Sequence, residues 1–545
     1  MSEIMKFTRM LAVCASAATI GAVPFRVGQT VHTTSGSIQG HAAPGVSDVS
    51  EYLSIPFVEF PRSYIKFLTL PQAKPPVGDL RWEPPQPFNG TSQINAEKFG
   101  ASCPAHTGIN MAALGNYSQY GITPQGAEII VSFLGQTTDV FSEDCLTLNV
   151  WAKPQTREDK KAVMFWVYGG SYSSGGSDIP AYNGKYLADQ EDVIVVSANY
   201  RLNIFGFPGG PTISNNLGLL DQRRAIEWVR DNIEGFGGDP NRITMFGESA
   251  GGSSVDYYSY AWTSDPIVAG FIAESGTVFS PDTQASAASS ATNWYAVSQT
   301  LGCGDASGDP ASVLSCMRSK SWQDVLNAIP AASKIPGASA SFGPTIDNII
   351  VFSDYISRSV NGNLIKRPMM IGNNNWEPGL FQPMLAVENI TLPSSTWAFL
   401  MFSLFTCPTS YRALAGQVNK VPTWRYRYFG NFPNMQLSTP SENQGAWHGS
   451  EIPMVFGTDM DIQDKVARTA EEEIMSTYMR KAWTTFAKDP VNGLVQYGFP
   501  EYNANGNTLI QLAINNETSP NPTNPAQYDT GCPIVTALVD LLTAL

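Results

Sequence analysis

Four stretches of the chain are almost continuously apolar and rich in β-branched residues: Ala162–Val167, Val193–Ala198, Ile243–Phe246 and Met369–Ile371. Runs this short, bounded by turn residues, predict strands covered on both faces rather than strands with one wet side. Between the second and third lies Leu219–Ile233, where Leu220, Ala225, Ile226 and Val229 recur at helical spacing and predict a helix with one face on the core. Asp239-Pro240-Asn241 predicts a turn just before the third strand. Strands alternating with helical segments imply crossover connections, so the expected class is α/β with a mainly parallel central sheet flanked by helices. No internal repeat interrupts this order, and the one Ser/Ala-rich tract, Ala285–Ala291, is brief.

Composition narrows the class of protein. Of 545 residues, 43% are hydrophobic and 15% charged, a globular balance with material for a large core. A formal net charge of −14 argues against nucleic acid or an anionic membrane surface as partner. At the N-terminus, Lys6 and Arg9 precede the apolar stretch Met10–Val23, which contains Ala15, Ala17 and Ala22. That pattern predicts a signal peptide over residues 1–22, cleaved near Ala22 or alternatively Ala17, with Met5 an alternative start. The stretch is too short to span a bilayer. The expectation is a secreted, extracellular protein whose remaining residues, 23–545, form one domain.

Cysteine usage agrees with export. Cys14 lies in the signal, which leaves Cys103, Cys145, Cys303, Cys316, Cys407 and Cys532, an even number suited to three disulfides. No C-x-x-C pair or Cys/His cluster has zinc spacing, so neither a metal nor a cofactor is expected. Sequons at Asn89, Asn116, Asn389 and Asn516 are glycosylation candidates in a secreted chain.

The strongest local feature is Phe246-Gly247-Glu248-Ser249-Ala250-Gly251-Gly252, a G-x-S-x-G pattern after a predicted strand and before a small-residue stretch able to open a helix. In that setting the serine sits on a sharp turn that lifts its hydroxyl above the sheet. The five-residue pattern alone is weak in a chain with 47 glycines; its strand-to-helix context makes it specific. A serine hydroxyl needs a base, and histidine has the fitting pKa. The chain holds four: His32, His41, His106 and His448. In this class the partners follow the nucleophile in the order serine, acid, histidine, and only His448 lies after Ser249. The acid between them is open to Asp256, Asp265, Glu274, Asp282, Asp347, Asp354, Glu377 and Glu388. Glu377 is preferred because it follows the strand Met369–Ile371, where open α/β sheets collect functional residues. Tyr168-Gly169-Gly170-Ser171-Tyr172, directly after the strand Ala162–Val167, offers either backbone N–H donors for an oxyanion or an ordinary glycine turn.

With these residues in view, the chain resembles type-B carboxylesterases and lipases, the family that includes cholinesterases and fungal lipases. The resemblance runs over about residues 28–535. It rests on Pro75-Pro76-Val77-Gly78-Asp79-Leu80-Arg81-Trp82, Ser142-Glu143-Asp144-Cys145-Leu146-Thr147-Leu148-Asn149-Val150-Trp151 and Asn199-Tyr200-Arg201. It continues through Gly218-Leu219-Leu220-Asp221-Gln222, Gly237-Gly238-Asp239-Pro240 and the serine motif. The resemblance implies an α/β-hydrolase fold and a triad of Ser249, Glu377 and His448. It implies oxyanion donors at the N–H groups of Gly170, Ser171 and Ala250, and a supporting role for Ser275 in orienting the triad. A serine at 171, where the family usually has glycine, keeps the N–H and narrows the acyl pocket. The resemblance further implies a buried Arg81–Glu143 ion pair and disulfides Cys103–Cys145 and Cys303–Cys316, which leaves Cys407 with Cys532.

The Cys103–Cys145 loop corresponds to the lid of the family's lipases; its Ile129, Ile130, Val131, Phe133 and Leu134 either line a substrate mouth or are ordinary core. Two departures from the family pattern stand out. Pro378 follows Glu377 where an acidic-loop glycine is usual, and an extra apolar stretch near Val58–Leu70 reads as a loop or, preferably, a gene-model error. The expected activity is cofactor-free hydrolysis of a small-molecule or lipid ester through an acyl-serine. Alternatives are a triacylglycerol lipase making transient contact with a lipid interface, and a non-catalytic adhesion homologue of the neuroligin kind, in which triad residues are lost.

Overall fold

In the computed structural model all four apolar runs are strands of one sheet, buried on both faces. The described residues are 26–59, 78–106, 114–134, 136–154, 160–281, 284–330, 342–439, 445–462 and 465–533. The signal-peptide reading, and all of the inserted stretch except its first two residues, lie outside them.

Among the described residues the sheet has eleven strands. In chain order these are β1 (His41–Ala43), β2 (Val46–Pro56), β3 (Thr147–Ala152), β4 (Lys161–Val167), β5 (Ile194–Ala198) and β6 (Gly238–Glu248). They continue as β7 (Gly270–Glu274), β8 (Met369–Asn374), β9 (Thr423–Tyr428), β10 (Leu509–Leu512) and β11 (Asn521–Thr523). Across the sheet the order is β11-β10-β9-β8-β7-β6-β4-β5-β3-β2-β1. Every neighbouring pair from β5 across to β10 is parallel, and the outer pairs are antiparallel. The parallel centre needs a crossover for each strand and is buried by it. Helix α1 (Leu217–Asn232) connects β5 to β6, α2 (Ala250–Ala261) connects β6 to β7, and α3 (Ala470–Lys488) lies between β9 and β10.

The expected turn at residues 239–241 is carried inside β6 rather than before it. The Asn241 N–H donates to Asp239 Oδ1 at 2.9 Å, and the pairing of β6 with β4 shifts register between Gly238 and Ile243. Helix α1 starts two residues before the predicted Leu219 and ends in a 3-10 turn, Ile233–Phe236, closed by Gly237 at φ 89°.

Buried forks tie the sequence segments together. Arg81 meets Glu143 through two bonds of 2.6 and 2.7 Å, and Arg201 meets Asp221 through two of 2.8 Å. Disulfides close Cys103–Cys145, Cys303–Cys316 and Cys407–Cys532, at sequence separations of 42, 13 and 125. Loops of these lengths cost the unfolded chain about 3–5 kcal/mol each in entropy. Inside the first loop a helix spans Pro124–Leu134; its Ile129, Ile130 and Phe133 are buried, and the Phe133 ring meets Trp447 at 5.6 Å. These three are core, while Val131 and Leu134 are half-buried.

Among the described residues no helix is long and apolar enough to cross a membrane. Asn89, Asn116 and Asn389 are exposed. Asn516 is half-buried, and its amide both donates to Asn431 O and accepts from the Asn431 N–H, each at 2.9 Å.

Candidate active site

Four strands that are neighbours in the sheet, β4, β6, β7 and β8, end side by side: Val167 pairs with Gly247, Glu248 with Glu274, and Glu274 with Gly372. Their next residues are the glycine turn, Ser249, Ser275 and the loop to Glu377. Ser249 holds φ 58°, ψ −122° as the N-cap of α2, and its N–H donates to Glu274 O at 2.8 Å. Ser171, Tyr172 and Ser275 also have positive φ, 53°, 59° and 51°. Non-glycine residues adopt this region only when surrounding structure enforces it, and such strain gathers at functional sites. The elbow depends on Gly251, where a Cβ would lie 2.0 Å from Val167 O. The glycine turn also approaches the elbow closely, since a Cβ on Gly169 would lie 2.9 Å from Ser249 Cβ. Among the described residues the N–H groups of Gly170, Ser171 and Ala250 donate to no protein acceptor. Backbone donors left without a protein acceptor beside a serine are what stabilising an anion there requires.

Of the acids weighed from sequence, Glu377 is the one that reaches His448, with Oε2 2.6 Å from Nδ1. Its Oε1 accepts from Ser275 Oγ at 2.7 Å and from the Asn374 N–H at 2.6 Å, and the side chain is fully buried. Asp256 is bound to Arg412, Asp265 to Arg223 and Asp354 to Arg358; Asp347 accepts the N–H groups of residues 349–351. Asp282 lies outside the described residues. Of the other histidines, His32 bonds Ser37, His41 pairs with Glu51 and His106 bonds Leu326 O.

The His448 loop is tied to the Glu377 loop by Trp376 N–H to Ala446 O at 3.0 Å and His448 N–H to Glu377 O at 3.3 Å. Pro378 therefore leaves the geometry intact, serving as the first residue of the helix Pro378–Val387, where a missing N–H costs nothing. The rings of Phe381 and Phe405 flank the imidazole, each 5.1 Å away. Phe405 comes from a π-helical turn, Phe402–Thr406, just before the Cys407–Cys532 disulfide.

The other ring nitrogen, Nε2, does not hydrogen-bond Ser249 Oγ. It faces Glu248 Oε1 at 3.1 Å, and that oxygen has no aligned partner, so Nε2 is committed to no hydrogen bond. Glu248, Glu274 and Glu451 form a buried acid cluster beneath the site. Burial first, and the neighbouring carboxyls second, hold Glu248 and Glu451 well above the usual carboxylate range. Burial pushes Glu274 up to about 8, although Trp483 Nε1 donates to it at 3.0 Å. In all three, burial favours the protonated form. Sequence reasoning missed Glu248, which stood inside the serine motif but is distinguished only by its contact, and Asn374, Phe381 and Phe405, which carry no local signal.

Comparison with known proteins identifies the family. The carboxylesterase family model matches residues 28–398 and 392–530. A chlorogenic acid esterase of Aspergillus niger is 32% identical over 92% of this chain and 87% of that protein. Secreted lipase 5 of Gibberella zeae is 34% identical over 83% of this chain and 86% of its own length. A cholinesterase of Mus musculus is 31% identical over 83% of the chain and 78% of its own length. With most of its length matched, and with its site assembled from neighbouring strand ends of a mixed α/β sheet, the chain belongs to the carboxylesterase family and has its α/β-hydrolase fold.

Proposed function

We propose that this carboxylic ester hydrolase acts through Ser249 as nucleophile, His448 as general base and Glu377 as the acid that orients the imidazole. The observation carrying the reading is the bond from Glu377 Oε2 to His448 Nδ1, which leaves Nε2 uncommitted beside the elbow. Catalytic hydrogen bonds are often long before substrate arrives, and the Ser249–His448 bond forms in the substrate complex. His448 takes the Ser249 proton as Oγ attacks the ester carbonyl. The N–H groups of Gly170, Ser171 and Ala250 hold the oxyanion, and the protonated imidazole gives its proton to the leaving alcohol. Water then repeats the sequence on the acyl-enzyme and releases the acid. Ser275 fixes Glu377.

We read the protein as secreted, with sugars on the exposed asparagines 89, 116 and 389. The chlorogenic acid esterase among its relatives supports small soluble esters as substrates. The helix Pro124–Leu134 is anchored by buried Ile129, Ile130 and Phe133, which supports hydrolysis without interfacial opening of a lid. The test is p-nitrophenyl butyrate hydrolysis by wild type and Ser249→Ala. Turnover should fall on the order of 10⁵–10⁶-fold, and undiminished activity in the variant refutes the nucleophile. Soluble short-chain esters should be preferred over emulsified long-chain ones; a rate that jumps at the emulsion threshold favours the lipase reading instead.

A further inference from the structure

A chain of polar groups, Ser102 and Gln136 buried and Asp139 and Asp178 half-buried, joins the Cys103–Cys145 loop to the glycine turn. Gln136, at φ 41° and buried, accepts the Gly175 N–H on Oε1 at 2.9 Å and donates through Nε2 to Asp139 Oδ2 at 2.8 Å. The same Asp139 oxygen accepts from Ser102 Oγ at 2.8 Å, and Asp178 Oδ1 lies 3.5 Å from that hydroxyl on its other side. Gly175 packs directly on the turn, since a Cβ there would lie 2.8 Å from Gly169 O. We propose that Asp178, Ser102, Asp139 and Gln136 form a positioning chain that holds the N–H groups of Gly170 and Ser171 toward Ser249 by anchoring Gly175. This rests on the oxyanion role given to those groups above.

Counting protons shows how the chain is tuned. Ser102 has one hydroxyl proton, and Asp139 receives it. With both aspartates ionised, two carboxylates face each other across a single donor. When Asp178 is protonated it donates to Ser102 Oγ, and every member is satisfied. No cation among the described residues pairs with either carboxylate; the other titratable group at hand is Tyr168, just past β4, which burial keeps neutral and whose own neighbours include Asp221. Burial, and then the charge of Asp139, push Asp178 up to about 6. Its folded value is raised, so the support it lends is complete at low pH and is lost as pH rises through about 6.

The experiment is hydrogen–deuterium exchange of the segment 168–178 alongside steady-state kinetics. Gln136→Ala should speed exchange at Gly175 about ten-fold and lower kcat about ten-fold with KM within two-fold, because displaced donors act only in the transition state. Gln136→Glu keeps the acceptor for Gly175 but donates to Asp139 only when protonated; its exchange should be fast at pH 8 and approach wild type at pH 5. In Asp178→Asn the slowing of exchange that wild type shows between pH 7 and pH 5, after correction for intrinsic rates, should vanish. Unchanged exchange and kcat in both Gln136 variants, or a pH step that persists in Asp178→Asn, overturns the proposal. Exchange shifts as expected in a wild type that hydrolyses no ester would sink the function reading and leave the anchor standing.

Discussion

On the Nδ1 side of His448 stands one buried carboxyl, Glu377, met by three donors: Ser275 Oγ, the Asn374 N–H and the imidazole itself. Nε2 faces Glu248, which clusters with Glu274 and Glu451; these three are buried too, each with one oxygen that has no partner. The residue type and burial are the same, yet the surroundings differ. A buried carboxyl surrounded by donors holds a negative charge, while one with too few keeps its proton. Asn374 stands between the groups, giving its backbone N–H to Glu377 and its side-chain NH₂ to Glu451 and Trp447 O. What separates Glu377 from the acid cluster here is the number of donors around it, not depth.

That contrast breaks first at Glu377. Glu377→Ala should lower kcat about 10³–10⁴-fold, read with a short p-nitrophenyl ester, because the imidazole loses its orienting partner. A loss below ten-fold would erase the distinction between the two sides. Ser275→Ala removes one of the three donors; a loss of about 1–2 kcal/mol translates to a fall in kcat of roughly 5–30-fold, with KM near wild type. Glu248→Gln replaces a carboxyl whose protonated form burial favours with an amide of the same shape and should cost less than about five-fold in kcat/KM. A fall as large as that of Glu377→Ala would mean Glu248 works as an anion. The smallest effect concerns stability. Glu274 has its folded value raised to about 8 from 4.5, so the stability tied to its proton is fully present below pH 4.5 and is lost progressively as pH rises from there to about 8. Glu274→Gln should flatten the decline in Tm between pH 4.5 and about 8, by about 2 °C across that span in a thermal melt.

Much of the fold and part of the site were legible in the chain. The apolar runs at 162–167, 193–198, 243–246 and 369–371 became β4, β5, part of β6 and part of β8, since a strand buried on both faces leaves a continuous apolar record. The turn at Asp239 falls inside β6 because backbone pairing with β4 is made on both sides of an irregularity that local residues do not announce. Ser249 was marked by its own glycines, and His448 by being the one histidine that follows it.

The sequence by itself determined what depends on near neighbours: the elbow, the strands and helices, and the candidates for base and nucleophile. Only the tertiary structure decided that the preferred acid, Glu377, meets the imidazole, in which acids burial favours the proton, and that Phe405 lies on the ring. The Glu377–His448 bond spans 71 residues and the Ser275–Glu377 bond 102, and both exist only because β7, β8 and β9 are adjacent in the sheet. Local residues set backbone angles; strand order sets which donors surround a buried charge.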